Sequence, residues 1–191
     1  MNTTSVMIVG VGGQGTLLAS KVLGQALVSL GYDVKVSEVH GMSQRGGSVV
    51  TYVRYGSEVH SPIVDLGGAD YMLAFEPLEA ARWLPYLKEG GRLIVNDQRI
   101  DPMPVITGAA AYPENIVEKL AQRANVVSLD ALRLANEAGS AKAVNVVLMG
   151  VLSTLLDIPE EAWQASLEAC VPAKFLELNR RAFALGRNHT A

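Results

Sequence analysis

The sequence predicts an α/β fold: a mostly parallel sheet with helices on both faces and a helical pack following it. Three observations carry this prediction. The apolar run Val6 to Val9 leads through a glycine-rich turn into a segment with helical spacing. Short apolar runs and helical segments then alternate as far as Ala138, and from Lys142 onward only helical patterns follow. Alternation of this kind builds parallel sheets, because each strand needs a crossover to bring the chain back to the same edge.

Taken in order, Val6 to Val9 are apolar and partly β-branched, as a buried strand requires. Thr16 to Leu30 place Leu17, Leu18, Val22, Leu23, Ala26, Leu27 and Leu30 at helical spacing. Between them Gly10, Gly12 and Gly15 match G-x-G-x-x-G, the pattern expected at the strand-to-helix turn of a Rossmann-like sheet. Gly31 to Asp33 form a turn, and Val34 to Val36 a second strand. Val49 to Tyr55 are a β-branched and aromatic strand, Gly56 to Glu58 a hairpin turn, and Val59 to Val64 a short returning strand. Asp70 to Phe75 form the next buried strand, and Glu76-Pro77 opens a helix, proline being tolerated in a first turn. That helix falters at Pro85 and stops at Gly90-Gly91, and Arg92 to Asn96 form a strand. Prolines break the region from Asp97 to Pro113, leaving room for a strand at Val105 to Thr107. Helix over Glu114 to Gln122, strand at Val126-Val127 and helix over Asp130 to Ala138 follow. Three helices complete the chain: the strongly apolar Lys142 to Leu156, an amphipathic one from Pro159 to Cys170, and a last one from Pro172 to Gly186.

A chain of 191 residues, 49% hydrophobic and 18% charged, is long enough for a full core and is expected to form one domain over 1–191. A net charge of −3 gives no reason to expect a nucleic acid or an anionic membrane as partner. No apolar run reaches the ~18 residues that span a bilayer, and the start lacks a basic-then-apolar signal pattern, so a cytoplasmic location is expected. The lone Cys170 cannot form an internal disulfide, and it cannot supply a cysteine-based zinc site or an iron–sulfur cluster within this chain. No metal site is expected.

The candidate ligand residues fall in two stretches. Gly10, Gly12, Gly13, Gln14 and Gly15 form the strand-to-helix turn, where free N–H groups and the positive end of the helix dipole suit an anion. Glu38 stands 23 residues after Gly15, near where a ribose-binding carboxylate sits in dinucleotide folds. The plainer alternative is a tight turn shaped only for packing. The second stretch, Glu38 to Ser48, is polar and glycine-rich and lies just past a strand end. In it Glu38 and His40 are an acid–base pair on paper, Gln44 an amide ligand, and Arg45 a clamp for phosphate or carboxylate. The same side chains equally suit binding neighbouring backbone or a partner chain. Glu76 faces the same crevice or simply caps its helix. Asn145 is a buried amide that needs partners, within the chain or on another subunit. Trp163 and Phe175 read as core. No second histidine–carboxylate pair or serine elbow accompanies these groups, so self-contained catalysis is not expected.

Gly10 to Gly15, the block Glu38 to Gly46, Phe75-Glu76-Pro77, Asn145 to Leu148 and Asn179 to Gly186 together resemble the small β subunit of indolepyruvate:ferredoxin oxidoreductases. This subunit corresponds to the γ domain of the wider 2-oxoacid:ferredoxin oxidoreductases. The resemblance covers nearly the whole chain, and the Glu38–Gly47 block is its specific part. It implies a large partner subunit holding thiamine diphosphate, magnesium and iron–sulfur clusters, with ferredoxin as electron acceptor and CoA as co-substrate. It implies that this chain carries no cofactor of its own, that its glycine turn has no dedicated nicotinamide, and that an anion or a CoA phosphate is the turn's ligand. Two other classes stand beside it: a freestanding NAD(P)- or flavin-binding Rossmann oxidoreductase, and a nucleotide-binding or structural module.

Overall fold

The computed structural model describes residues 3–38, 43 and 45–189. Six strands form one sheet: β1 (Thr4–Val11), β2 (Asp33–Glu38), β3 (Ser48–Gly56), β4 (Ala69–Ala74), β5 (Leu87–Asn96) and β6 (Asn125–Leu129). Their order is β2-β3-β1-β4-β5-β6. β1, β4, β5 and β6 pair in parallel, whereas β3 is antiparallel to both β1 and β2. β2 therefore points the same way as β1, and β3 alone is reversed. The expected mostly parallel sheet is found, with one strand inserted between β1 and β2.

Both faces are covered. Alternate residues of β1 divide between two cores, Val6 and Ile8 on one side and Met7 and Val9 on the other, all fully buried. That two-sided burial is why the strand reads as an unbroken apolar run rather than an alternating one. The larger core lies under α1 (Thr16–Ser29), α5 (Ala131–Ala138), α6 (Val144–Ser153), α7 (Glu160–Cys170) and α8 (Leu176–His189). α2 (Pro77–Trp83) and α4 (Ile116–Ala121) cover the smaller one, and a single turn, α3 (Met103–Ile106), lies between β5 and α4. Within the helical pack α6 and α8 touch backbone to backbone, at Gly150 and Gly186. A Cβ on Gly150 would stand 2.1 Å from the Phe183 carbonyl oxygen, and one on Gly186 1.9 Å from that of Val147.

Five local expectations are corrected. Val59 to Val64 form no strand: Arg54 Nη1 donates to the carbonyls of Ser61 and Ile63, Asp33 Oδ2 accepts the Val59 N–H, and Pro62 has no N–H for a ladder. Val105 to Thr107 belong to the α3 turn, with Pro104 in its first positions and the Thr107 hydroxyl donating to the Met103 carbonyl. Gly90-Gly91 is not a helix stop. β5 already begins at Leu87, Gly90 takes a left-handed φ of 77°, and the register against β4 shifts between Ala69 and Tyr71, as at a bulge. The last helix continues to His189, and Phe175 before it is 47% exposed with the Lys174 ammonium over its ring, so Trp163 alone of that pair is core.

No described helix is long and apolar enough to cross a membrane.

Candidate functional site

The carboxyl ends of β1, β4, β5 and β6 converge on one edge, and the glycine turn lies there. β1 ends at Val11, and α1 starts at Thr16 behind Gly15, which takes φ 85° and offers no side-chain cap. Gly13 is likewise left-handed, at φ 101°. The first N–H groups of α1 thus lack a capping side chain, which leaves them available to a ligand.

Three contacts fix the turn. The Gln14 side chain folds back across it: Oε1 accepts the Val11 N–H at 2.7 Å, and Nε2 donates to the Phe75 carbonyl at 2.9 Å. Gly10 has no room for a Cβ beneath that amide, which would lie 2.8 Å from Gln14 Oε1 and 2.9 Å from Phe75 Cβ. From the opposite side the buried Asn145 of α6 donates through Nδ2 to the Gly15 carbonyl at 3.1 Å. The partner Asn145 needs is therefore within the chain. Finally, the Gly12 N–H donates to the Gly47 carbonyl at 2.8 Å, tying the turn to the end of the glycine-rich loop.

A cavity of about 290 Å³ opens between this turn and β3. Gly12, Gly13, Gly15, Thr16 and Leu17 form one wall, and Val49 and Thr51 contribute to the other. Thr51 is buried, and its residue type was not singled out by sequence because nothing placed β3 beside β1.

Of the second stretch, His40 and Gln44 lie outside the described residues. Arg45 is exposed in a turn two residues before Gly47, so it stands on the loop that the Gly12 contact anchors. Glu38 closes β2, and its Oε1 accepts the Ser20 hydroxyl of α1 at 2.7 Å. With β3 interposed, Glu38 is two strands from β1 rather than one, which separates it from the position a ribose-binding carboxylate takes next to the glycine turn.

Glu76 is buried and fully engaged. Oε2 accepts the Glu79 N–H at 2.9 Å as the cap of α2, and Oε1 accepts the Tyr112 hydroxyl and, at 3.4 Å, the Ile100 N–H. Burial pushes the Glu76 carboxyl above the ordinary range. The Tyr112 phenol is raised as well, by burial first and by the neighbouring carboxylate second, and the Arg99 guanidinium lies 4.3 Å from its ring centroid. Glu76 thus holds the segment between β5 and α4 over the sheet edge. Beside it the buried Glu79 accepts the Ser48 hydroxyl and pairs with Arg82 at 3.1 Å, so β3 begins fastened to α2. Asn96 completes the edge, donating to the Phe75 carbonyl at 3.1 Å and accepting the Ala131 N–H at 3.1 Å. Ser20, Glu79, Tyr112 and Asn96 escaped the sequence reading. Only Asn96 left a signal there, as a polar residue closing an apolar strand.

Among the described residues no group of three or more metal-ligating side chains comes together. Cys170 is half-buried, and burial raises its thiol above the usual value.

A family profile described as pyruvate ferredoxin/flavodoxin oxidoreductase matches residues 5–189. An indolepyruvate oxidoreductase subunit IorB of Thermococcus kodakarensis is 44% identical, over 97% of this chain and 95% of its own length. Its namesake from Archaeoglobus fulgidus is 38% identical over 96% and 94%. Among solved structures, the γ subunit of a keto/oxoacid ferredoxin oxidoreductase from Geobacter sulfurreducens superposes with a TM-score of 0.72 at 25% identity, over 97% of this chain and 96% of that one. A 2-oxoglutarate:ferredoxin oxidoreductase from Magnetococcus marinus shares the fold at a TM-score of 0.73 and 20% identity, over 98% of this chain and 31% of that one. The motif resemblance and the matches agree: the chain belongs to the pyruvate ferredoxin/flavodoxin oxidoreductase family.

Proposed function

We propose that the chain is the small subunit of an indolepyruvate:ferredoxin oxidoreductase, supporting the oxidative decarboxylation of an aryl 2-oxoacid to its acyl-CoA. The end-to-end identity with subunits of that name carries the reading. The donor chemistry of the chain agrees with it. One half-buried thiol cannot ligate an iron–sulfur cluster, and no acidic or histidine cluster among the described residues suits a magnesium diphosphate. Thiamine diphosphate, which supplies the decarboxylation chemistry when bound, is assigned with its magnesium and the clusters to a large partner subunit. Ferredoxin accepts the electrons of the assembled enzyme, and the chain alone, acting as one γ-type domain, is inactive.

This chain's own part is to bind and to orient. The uncapped start of α1 and the cavity before Thr51 suit an anionic group such as a CoA phosphate, at the modest ~0.3–1 kcal/mol of a helix terminus. Arg45, exposed on the anchored loop, offers a rigid fork for a carboxylate or phosphate at the subunit junction. Glu38 ends β2 ahead of that loop, His40 and Gln44 belong to the same stretch of sequence, and Glu76 braces the sheet edge. None of them is assigned an essential proton transfer.

The substrate is tested on the enzyme reconstituted with its large subunit, by comparing kcat/KM for indolepyruvate, pyruvate and 2-oxoglutarate with ferredoxin as acceptor. Indolepyruvate is expected to be preferred. Preference for either of the others would overturn the aryl assignment while leaving the family intact.

A further inference from the structure

We propose that a pocket at the opposite edge of the sheet binds a small alkylammonium cation. It is an open pocket of about 450 Å³ where β1 and β4 begin and β3 ends, far from the glycine turn. The proposed function makes no use of it.

The lining chemistry selects the ligand. Tyr32, Tyr55 and Tyr71 contribute three phenol rings, and Asp70 and Asp157 two carboxylates; no lysine, arginine or histidine lines the pocket. The Tyr32 and Tyr55 rings meet edge to face, with centroids 5.3 Å apart and planes at 74°. They form a corner, and both rings contribute to the lining, so a guest there meets aromatic surface. The face of a ring carries negative quadrupole density and attracts a cation within ~6 Å of its centroid. Tyr71 is fixed by donating its hydroxyl to the Leu155 carbonyl at 3.1 Å. Burial holds the Tyr55 phenol up at about 12, which keeps that ring neutral.

The two acids differ in their commitments. Asp70 is spent within the fold: Oδ2 accepts the Ser5 N–H at 2.9 Å, and Oδ1 pairs with Lys88 at 3.0 Å. Asp157 is exposed and takes part in none of the ion pairs among the described residues. An anion would face this carboxylate with no compensating charge in the lining. A neutral apolar guest would leave it unused. An alkylammonium uses both features, with its carbon surface against the rings and its charge toward Asp157.

The test is a titration of the full chain with methylammonium and tetramethylammonium chloride, at ionic strength matched with sodium chloride, followed by the ring NMR signals of the tyrosines. Saturable movement of the Tyr32 and Tyr55 signals is expected, absent with sodium alone. Asp157→Asn keeps shape and removes charge at an exposed site. Tyr32→Leu removes one wall of the corner. Each is expected to weaken binding about tenfold. No saturable movement with either ammonium salt, or unchanged affinity in both variants, would overturn the assignment.

Discussion

Replacing Gly186 with alanine tests the packing that holds the helical half of the protein on the sheet. The added Cβ would stand 1.9 Å from the Val147 carbonyl oxygen, 2.8 Å from its carbon and 3.1 Å from its Cα, where ordinary contact begins at 3.4 Å. All three atoms are backbone, so no rotamer change relieves the overlap, and α6 and α8 must separate by about 1–1.5 Å. A gap of that order forfeits a quarter to a half of each dispersion contact across it, and the seam includes the fully buried Val147, Val151, Ala182 and Phe183. Overpacking and the loosened seam together cost about 3–5 kcal/mol, against which the better helix propensity of alanine returns about 1. The net loss is about 2–4 kcal/mol, a large share of a typical folding free energy. Gly24 is the matched control. It lies mid-helix in α1 with nothing within 4 Å of a Cβ, so Gly24→Ala should stabilise by about 0.5–1 kcal/mol through propensity alone. Urea unfolding of the full chain and both variants, at an unchanged denaturant slope, is the assay. A neutral or stabilising Gly186→Ala would refute the close-contact account.

Glu76 makes stability depend on pH. Its folded pKa is raised by burial, so its contribution is fully present below the ordinary carboxylate range and is lost as pH rises through the raised value. Glu76→Gln is neutral throughout and should gain on the wild type as pH climbs above the ordinary carboxylate range; parallel stability profiles would contradict this. Arg45→Ala is expected to weaken assembly or CoA use in the reconstituted enzyme by ~1–3 kcal/mol, the range of a charge-assisted contact. His40→Ala should have the smaller effect on the chemical step, and near-total loss of decarboxylation with assembly intact would instead make that loop catalytic. Calorimetry of the chain with NAD and NADP should show no binding as tight as about micromolar; either nucleotide binding that tightly would revive the dinucleotide-enzyme alternative.

How much of this was legible in the sequence depends on where each segment's backbone finds its partners. β1 and β4 were plain, because strands buried on both faces must be apolar throughout. α5 was plain because Asp130, which caps it, and Gly139, which ends it at φ 114°, both show in the sequence. Val59 to Val64 have a strand's composition, but Arg54 and Asp33 take the hydrogen bonds a ladder would have used, and side-chain contacts of that kind leave no pattern in the segment itself. The glycines at 90 and 91 signal irregularity without saying whether a helix ends or a strand bulges. The insertion of β3 between β1 and β2 left no trace, since strand order is not written in any one strand. The edge residues follow the same rule. Gly12, Gln14 and Gly15 stood out by motif, whereas the contacts that fix them, at Gly47, Phe75 and Asn145, come from 35 to 130 residues away.

In the function proposed above, this chain serves a catalytic partner and holds no redox centre itself. Purifying it with and without its large subunit, then measuring iron, thiamine and 2-oxoacid-dependent ferredoxin reduction, tests that most directly. The chain alone should be colourless and inactive, and the co-purified assembly should contain iron and thiamine and turn over. Stoichiometric iron in the isolated chain, or turnover by it alone, would contradict the account.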